Sequence, residues 1–246
     1  MPLRETEAIA LRTYRLGEAD KIVSLLTRQL GRLRAVAAGA QRPKSRYGGS
    51  LEPPSYVRLW LYEREHRDLA RLNSCELIES FFDMQKDYRV QVAAQYVVEA
   101  SEQFLPEREV NERAFRLLLV VLRAMKRSGE IVRPLVYFNY WLLKLGGLLP
   151  QIDRCGACGR QLGVESGYYG EGSEHLLCAE CRRGARAEVS AEARRIEASF
   201  KGLALDQWIG AGPPPRALNE LRRFLEVLVE SHVGKKLVTR PLLDEF

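Results

Sequence analysis

Alternating apolar and polar residues dominate the first third of the chain. Residues 56–62 are rich in aromatic and β-branched types, which is typical of a strand with one buried face. The same period of two recurs in four other short segments. The five predicted strands cover residues 8–14, 20–27, 31–38, 55–63 and 69–77. Because these strands are short and close together, they predict a small β-barrel.

After Glu79 the period of the apolar residues becomes helical. One stripe runs through Val90, Ala94 and Val97 and continues to Leu105. The other predicted helices cover residues 115–125, 135–145, 191–200 and 215–231. The sequence therefore predicts an α+β protein, with a barrel domain over residues 1–80 and a helical domain over residues 81–246.

Positive charge is concentrated in residues 21–51, which hold seven Lys or Arg side chains and no Asp or Glu. Arg32 and Arg34 share one face of a predicted strand, and a Gly- and Pro-containing loop follows with cations at alternate positions. Cations without acidic neighbours suit a polyanion, because each neutralised phosphate releases counterions. The five-stranded barrel that commonly binds single-stranded nucleic acid is the OB-fold, which we therefore predict. A solvated surface without a ligand is the alternative.

The candidate nucleic-acid contacts lie in this basic window. The side chains expected to contact phosphates are Arg32, Arg34, Arg42, Lys44 and Arg46. Tyr47 is a candidate platform on which a base could stack. The other aromatic residues of the strands, Tyr14, Tyr56, Trp60 and Tyr62, are expected in the barrel core.

Two Cys-x-x-Cys pairs predict a metal site in the second half of the chain. Cys155 and Cys158 form the first pair, Cys178 and Cys181 form the second, and 19 residues separate the pairs. This spacing is typical of a four-cysteine zinc site. Four thiolates leave no open coordination position, so we expect one structural Zn²⁺ in an insertion at about residues 150–186. Cys75 is expected to be a lone core thiol.

Composition and missing motifs narrow the classes of function. The chain has 246 residues, a net charge of +6 and a pI near 9.1, which favour an acidic partner. We find neither a secretory signal nor an apolar run long enough for a membrane span, and we expect a cytoplasmic protein. Residues 39–45 superficially match a phosphate-binding loop, but Pro43 replaces its second glycine. We therefore expect neither a nucleotide cofactor nor an enzyme.

The basic segment and the cysteine pairs together resemble a known family. The segment Gly31-Arg-Leu-Arg-Ala-Val-Ala-Ala-Gly39-Ala-Gln-Arg-Pro-Lys-Ser-Arg-Tyr-Gly-Gly49, followed by helices and Cys-Gly-x-Cys-Gly, is similar to the bacterial recombination mediator family RecO. The resemblance covers essentially the whole chain. It implies an OB-fold joined to a helical domain with a zinc site. It also implies binding to single- and double-stranded DNA in the nucleoid, annealing of complementary strands, and partnership with RecR in helping RecA to displace SSB.

Two other hypotheses remain open from the residues. An adaptor protein could use the basic loop to dock acidic protein surfaces, with DNA binding incidental. A zinc-containing nucleic-acid enzyme is the third hypothesis, and the missing catalytic constellation disfavours it. Salt-dependent binding to bare DNA separates the first hypothesis from the adaptor.

Overall fold

The computed structural model describes residues 3–62, 69–209 and 215–246, and its N-terminal strands close into a barrel. The strands are β1 (Leu3–Leu16), β2 (Asp20–Thr27), β3 (Gly31–Ala37), β4 (Ser55–Tyr62) and β5 (Leu69–Ser80). Their order around the barrel is β1-β2-β3-β5-β4, and β1 pairs with β4 to close it. Only the β3–β5 pairing is parallel among these described strands. The predicted OB-fold barrel is confirmed, while Glu63 of the predicted fourth strand lies outside the described residues.

Small apolar side chains line the barrel interior. Ala8, Ala10 and Ala35 are fully buried there beside larger residues such as Leu25 and Leu59. Alternation in β3 is complete, since Leu33, Ala35 and Ala37 point inward while Arg32, Arg34 and Val36 are only half-buried. The sequence pattern of this strand therefore places the two arginines on the outside of the barrel.

A bulge in β1 changes which side chains face the core. The register against β2 shifts between Ala10 and Arg12, so Ala10 faces inward but Tyr14, four residues later, is 40% exposed. An extra residue in one strand reverses the alternation beyond it. The expectation that Tyr14 is a core residue was wrong for this reason, whereas Tyr56 is buried as expected.

Helices follow the barrel. They are α1 (Tyr88–Phe104), α2 (Glu112–Ser128), α3 (Val132–Leu145), α4 (Ala191–Phe200), α5 (Leu205–Trp208), α6 (Pro215–Val233) and α7 (Arg240–Leu243). A 3₁₀ turn, Phe82–Lys86, precedes α1, and two short strands, β6 (Gly167–Tyr169) and β7 (Ala187–Val189), pair with each other. The chain divides into compact units of residues 1–122 and 123–246. The domain boundary expected at residue 80 stays a prediction.

A buried ion-pair network holds the C-terminal segment of the second unit on α6. Arg222 Nη1 lies 2.9 Å from Glu226 Oε1, and both side chains are at most 2% exposed. Arg240 of α7 reaches Glu226 and also pairs with Glu230. Glu230 in turn accepts the backbone N–H of Leu237 at 2.8 Å. Removing one member of such a network leaves a buried charge unpaired, which is strongly destabilising.

This network predicts a pH-dependent stability. Burial raises the pKa of the Glu226 carboxyl from 4.5 to about 7, although the charges of Arg222 and Arg240 oppose the shift. An acid with a raised folded-state pKa stabilises the fold below its unfolded pKa, and this contribution is lost as pH rises through the folded value. We expect the loss to be about 3 kcal/mol between pH ~4.5 and ~7.5.

The measurement is denaturant unfolding at several pH values, followed by the fluorescence of Trp141 and Trp208 in the second unit. In Glu226→Gln, a less stable protein overall, this component of the pH dependence should disappear. An unchanged pH profile in that variant would show that Glu226 does not titrate in this range.

Candidate nucleic-acid interface and metal centre

The loop that joins β3 to β4, residues 38–54, is built from successive tight turns. Backbone N–H groups bond carbonyls three residues back at six positions between Ala40 and Glu52. Its beginning is tied to the β1–β2 turn, where Asp20 accepts the N–H of Gly39 at 2.7 Å. Tyr47 and Leu51 are each only 2% exposed and pack into the barrel core. The loop is therefore anchored at both its beginning and its middle.

Three cations project from this anchored loop. Arg42, Lys44 and Arg46 are exposed, and none has an acidic partner in the part of the chain that the structure describes. The guanidinium carbon of Arg46 lies 5.0 Å from the centre of the Tyr47 ring, and its Nη2 donates to the Tyr47 hydroxyl at 2.9 Å. A fixed loop with unpaired cations holds positive charge ready for phosphate groups. Contact of these residues with DNA stays a prediction.

The other four cations of the window are ion-paired. Lys21 lies 2.7 Å from Glu52, and Arg28 pairs with Glu7 and Glu112. Hydrogen bonds from Arg28 and Arg116 lower the pKa of Glu112. The view of the whole window as positive charge without internal pairing was wrong, because its acidic partners lie elsewhere in the sequence. These four side chains must give up a carboxylate before they bind a phosphate.

Glu107 neutralises the two arginines of β3. Its Oε1 lies 3.3 Å from Arg32 Nη1 and 3.1 Å from Arg34 Nε. Arg32 also donates Nε to the carbonyl of Leu105 at 2.8 Å, and its side chain is only 16% exposed. Arg34 keeps 41% of its side chain exposed. Of the two, Arg34 is the better placed for a phosphate.

The acidic segment reaches β3 because residue 31 is a glycine. Residues 107–109 follow the strand edge, where Arg108 N–H donates to the Arg32 carbonyl at 2.8 Å. A Cβ on Gly31 would lie 2.4 Å from the carbonyl oxygen of Glu109, and the Gly31 φ of +71° also disfavours any other residue. The close approach of the two backbones therefore sets the position of Glu107.

The two tyrosines considered for this region have exchanged roles. Tyr47 is buried and donates its hydroxyl to the Leu72 carbonyl at 3.1 Å, so the expected stacking platform is not available to a base. Tyr14, which alternation had placed in the core, is exposed on the outer face of the barrel. Arg12 lies 5.2 Å from its ring centre, and its hydroxyl donates to Glu102 at 3.4 Å. Tyr14 is thus the exposed aromatic ring beside the basic strand β3.

Neutralising Glu107 should strengthen DNA binding. In Glu107→Gln the cations of β3 lose their competing carboxylate, so we expect single-strand affinity to rise roughly fivefold near 0.1 M salt and its salt dependence to steepen. Glu109→Gln is the matched control, since Glu109 is exposed in the same segment without an ion pair to a described residue. Fluorescence anisotropy with a labelled single strand measures both. Equal affinities in the two variants would exclude competition by Glu107.

The second unit brings all four predicted cysteines together. The sulfur atoms of Cys155, Cys158, Cys178 and Cys181 lie within 4.8 Å of one another. The Sγ atoms of Cys158 and Cys178 are 3.9 Å apart. Each pair lies in a tight turn, closed by Gly159 N–H to the Cys155 carbonyl at 2.8 Å and by Cys181 N–H to the Cys178 carbonyl at 3.1 Å. The cluster could hold one metal ion.

The electrostatic environment favours a thiolate at Cys155. Burial acts to raise its pKa, but backbone N–H groups of Cys158, Cys178 and Ala157 point at the sulfur and lower the pKa to about 6. Cys75, in contrast, lies in β5 against the barrel core, where burial raises its pKa to about 12. The four-cysteine set is therefore distinct from the lone thiol, as the sequence predicted.

Arg194 of α4 fastens the cysteine segment to the helices of its unit. Its side chain is buried and donates Nη2 to the carbonyls of Gly163 at 3.0 Å and Glu165 at 2.5 Å. Desolvation lowers the pKa of this arginine. The sequence gave no signal for this contact, because its partners are backbone groups.

Comparisons with known proteins place the whole chain. The family model described as Recombination protein O N terminal matches residues 1–81, and the model described as Recombination protein O C terminal matches residues 85–241. The chain belongs to the RecO family. The resemblance seen in the basic segment and the cysteine pairs is therefore confirmed. None of the described helices combines the length and the apolar character needed to cross a membrane.

Curated relatives agree with the family models over nearly the full length. The DNA repair protein RecO of Koribacter versatilis is 38% identical over 243 residues, which cover 99% of each chain. The DNA repair protein RecO of Nocardioides sp. is 38% identical over 242 residues, or 96% of each chain. The DNA repair protein RecO of Anaeromyxobacter sp. (strain K) is 30% identical over 241 residues, covering 96% of this chain and 94% of the relative. The chain is thus a RecO-family DNA repair protein.

Proposed function

We propose that this RecO-family protein binds single- and double-stranded DNA, anneals complementary strands and acts with RecR to help RecA replace SSB on single strands. The observation that carries the proposal is the anchored loop, whose Arg42, Lys44 and Arg46 are exposed without an acidic partner among the described residues. Such a loop neutralises phosphate repulsion while leaving the base edges free to pair.

Annealing by this route needs no nucleotide hydrolysis. Strand repulsion falls when cations replace the counterions of both backbones, and base pairing then supplies the driving force. We infer that the chain is not an enzyme and has no nucleotide cofactor. Its cytoplasmic location, in contact with the nucleoid, follows from its substrate.

We infer that the metal of the cysteine cluster is a single structural Zn²⁺. A tetrahedral zinc ion with Zn–S bonds of about 2.3 Å separates its sulfur ligands by about 3.8 Å. The 3.9 Å between the Cys158 and Cys178 sulfurs fits this value. With four thiolates as ligands the ion would stabilise the turns around it, and no position would remain for a substrate.

The test of the proposed function is an annealing assay with the purified protein and two complementary single strands. We expect acceleration without nucleotide, no further effect of ATP, and steep inhibition by salt. Adding RecR and SSB-coated strands then tests the mediator step, where we expect RecR-dependent loading of RecA. Absence of acceleration at low salt would refute the annealing proposal.

One observation favours the adaptor function as a second candidate. Leu77, Phe82 and Tyr88 of the first unit are 48%, 68% and 54% exposed, and apolar surface of this kind is typical of protein contacts. An adaptor predicts that charge changes in the 38–54 loop abolish binding to RecR while leaving the salt dependence of DNA binding unchanged. Loss of DNA binding with RecR binding intact would exclude it.

A further inference from the structure

A second group of exposed arginines lies in the turn that follows the last cysteine. Arg182, Arg183 and Arg186, here called the arginine turn, are exposed, and none pairs with an acidic residue in the described parts of the chain. Arg160, from the same cysteine segment, instead pairs with Glu165 at 2.7 Å and Glu180 at 3.2 Å. The arginine turn therefore carries uncompensated positive charge.

The backbone of the arginine turn is fixed at both ends. Cys181 N–H bonds the Cys178 carbonyl at its beginning, and Ala185 N–H bonds the Arg182 carbonyl at 2.7 Å. Arg183 adopts a φ of +39°, a left-handed conformation that is costly for a residue with a side chain. Strand β7 begins immediately afterwards at Ala187. The metal cluster and the β6–β7 pair thus hold the three arginines in place.

Arg182 lies against an aromatic ring. Its guanidinium carbon is 4.7 Å from the centre of the Tyr168 ring. Tyr168 is held in β6 by reciprocal 2.8 Å backbone hydrogen bonds with Leu177. A guanidinium supported in this way is pre-organised, so that it can donate to a phosphate and offer a plane for a base.

We propose that the arginine turn is a second binding surface for single-stranded nucleic acid, distinct in sequence and in unit from the loop at residues 38–54. Arg183 and Arg186 would contact phosphates, and Arg182 on Tyr168 would contact a base. The proposal rests on the proposed function in that the polyanion is a DNA strand. Two surfaces on one chain would let the protein hold two strands, which annealing requires.

The arginine–tyrosine pair favours a nucleic acid over an acidic peptide. Carboxylates of a peptide would be satisfied by the charges alone, whereas bases also use planar surfaces for stacking. An oligoglutamate competitor separates the two ligands. If it displaces DNA from this surface as effectively as a single strand does, the surface is a protein-docking site and the nucleic-acid assignment is overturned.

The experiment uses the full-length, metal-loaded protein and its Arg182→Gln/Arg186→Gln variant. Titration with a short oligothymidylate at low salt should show two strands per wild-type chain and one per variant chain. The salt slope of binding should fall by about 1.4 for two lost phosphate contacts, and annealing should slow at least fivefold. The control Lys201→Gln/Arg216→Gln removes the same charge from exposed side chains that are paired with Glu197 and Glu220, and it should behave as wild type.

Two further measurements keep the outcome readable. Metal content and thermal unfolding check that the variant is folded. If it is not, Arg182→Lys/Arg186→Lys keeps the charge and should lose affinity without losing salt slope, because lysine lacks the planar group. A folded Gln variant that still binds two strands with the wild-type slope overturns the inference and leaves the proposed function standing. Failure of the wild type to bind DNA would refute the proposed function itself.

Discussion

Replacing Cys178 by serine should remove the metal and unfold the cysteine segment of the second unit. Cys178 is fully buried, and its sulfur lies 3.9 Å from that of Cys158, so the remaining three ligands cannot close the site in the same way. Structural zinc sites couple metal affinity to folding, with apparent binding energies of about 10–16 kcal/mol in small peptides. Even a fraction of this energy exceeds the effect of most single substitutions.

Elemental analysis and thermal unfolding measure the effect of Cys178→Ser. We expect wild type to carry one zinc per chain and the variant to carry substantially less, with protease cleavage between Cys155 and Val189. Cys75→Ser is the matched control, because Cys75 lies in the barrel wall away from the cluster. A Cys178→Ser protein with full metal content and an unchanged melting temperature would contradict the structural role of the site.

Neutralising two cations of the 38–54 loop should weaken DNA binding strongly. In Arg42→Gln/Lys44→Gln, two phosphate contacts are lost, so the slope of log affinity against log salt should flatten by about 1.4. The same contacts predict a roughly twentyfold loss of affinity near 0.1 M salt, equal for all sequences, because phosphates carry no base information. The fold should be retained, since both side chains are exposed.

The control for this variant removes equal charge from the same unit. Lys86 and Arg89 are exposed but paired with Asp83 and Asp87, so Lys86→Gln/Arg89→Gln should bind DNA nearly as well as wild type. If both double variants lose affinity to the same extent, net charge governs binding and the loop has no special role.

The sequence predicted those features that depend on local patterns. Period-two alternation identified the five strands, and the Cys-x-x-Cys spacing identified the four residues that the structure brings together. Strand ends differed by a few residues, as in β1, which runs from Leu3 to Leu16 rather than over residues 8–14. The short strands β6 and β7 were missed, because three residues are too few to show a period.

Features that depend on distant residues could not be predicted. The pairing of Arg32 with Glu107 joins positions 75 residues apart in the sequence, and no local signal marks Glu107 as a partner. A single bulge reversed the orientation of Tyr14, while the turns of the following loop carried Tyr47 into the core. As a result, the candidate phosphate contacts are reduced from five to the three unpaired loop cations, together with the partly exposed Arg34.

The central claim, that the loop at residues 38–54 contacts DNA, is tested most directly by photo-crosslinking. Wild-type protein is bound to a single strand that carries photoreactive thymine analogues, irradiated and digested, and the crosslinked peptides are identified by mass spectrometry. We expect peptides from residues 38–54 to be among the crosslinked products and to disappear from them as salt is raised. Crosslinks confined to other parts of the chain, at a salt concentration where binding is saturated, would contradict the claim.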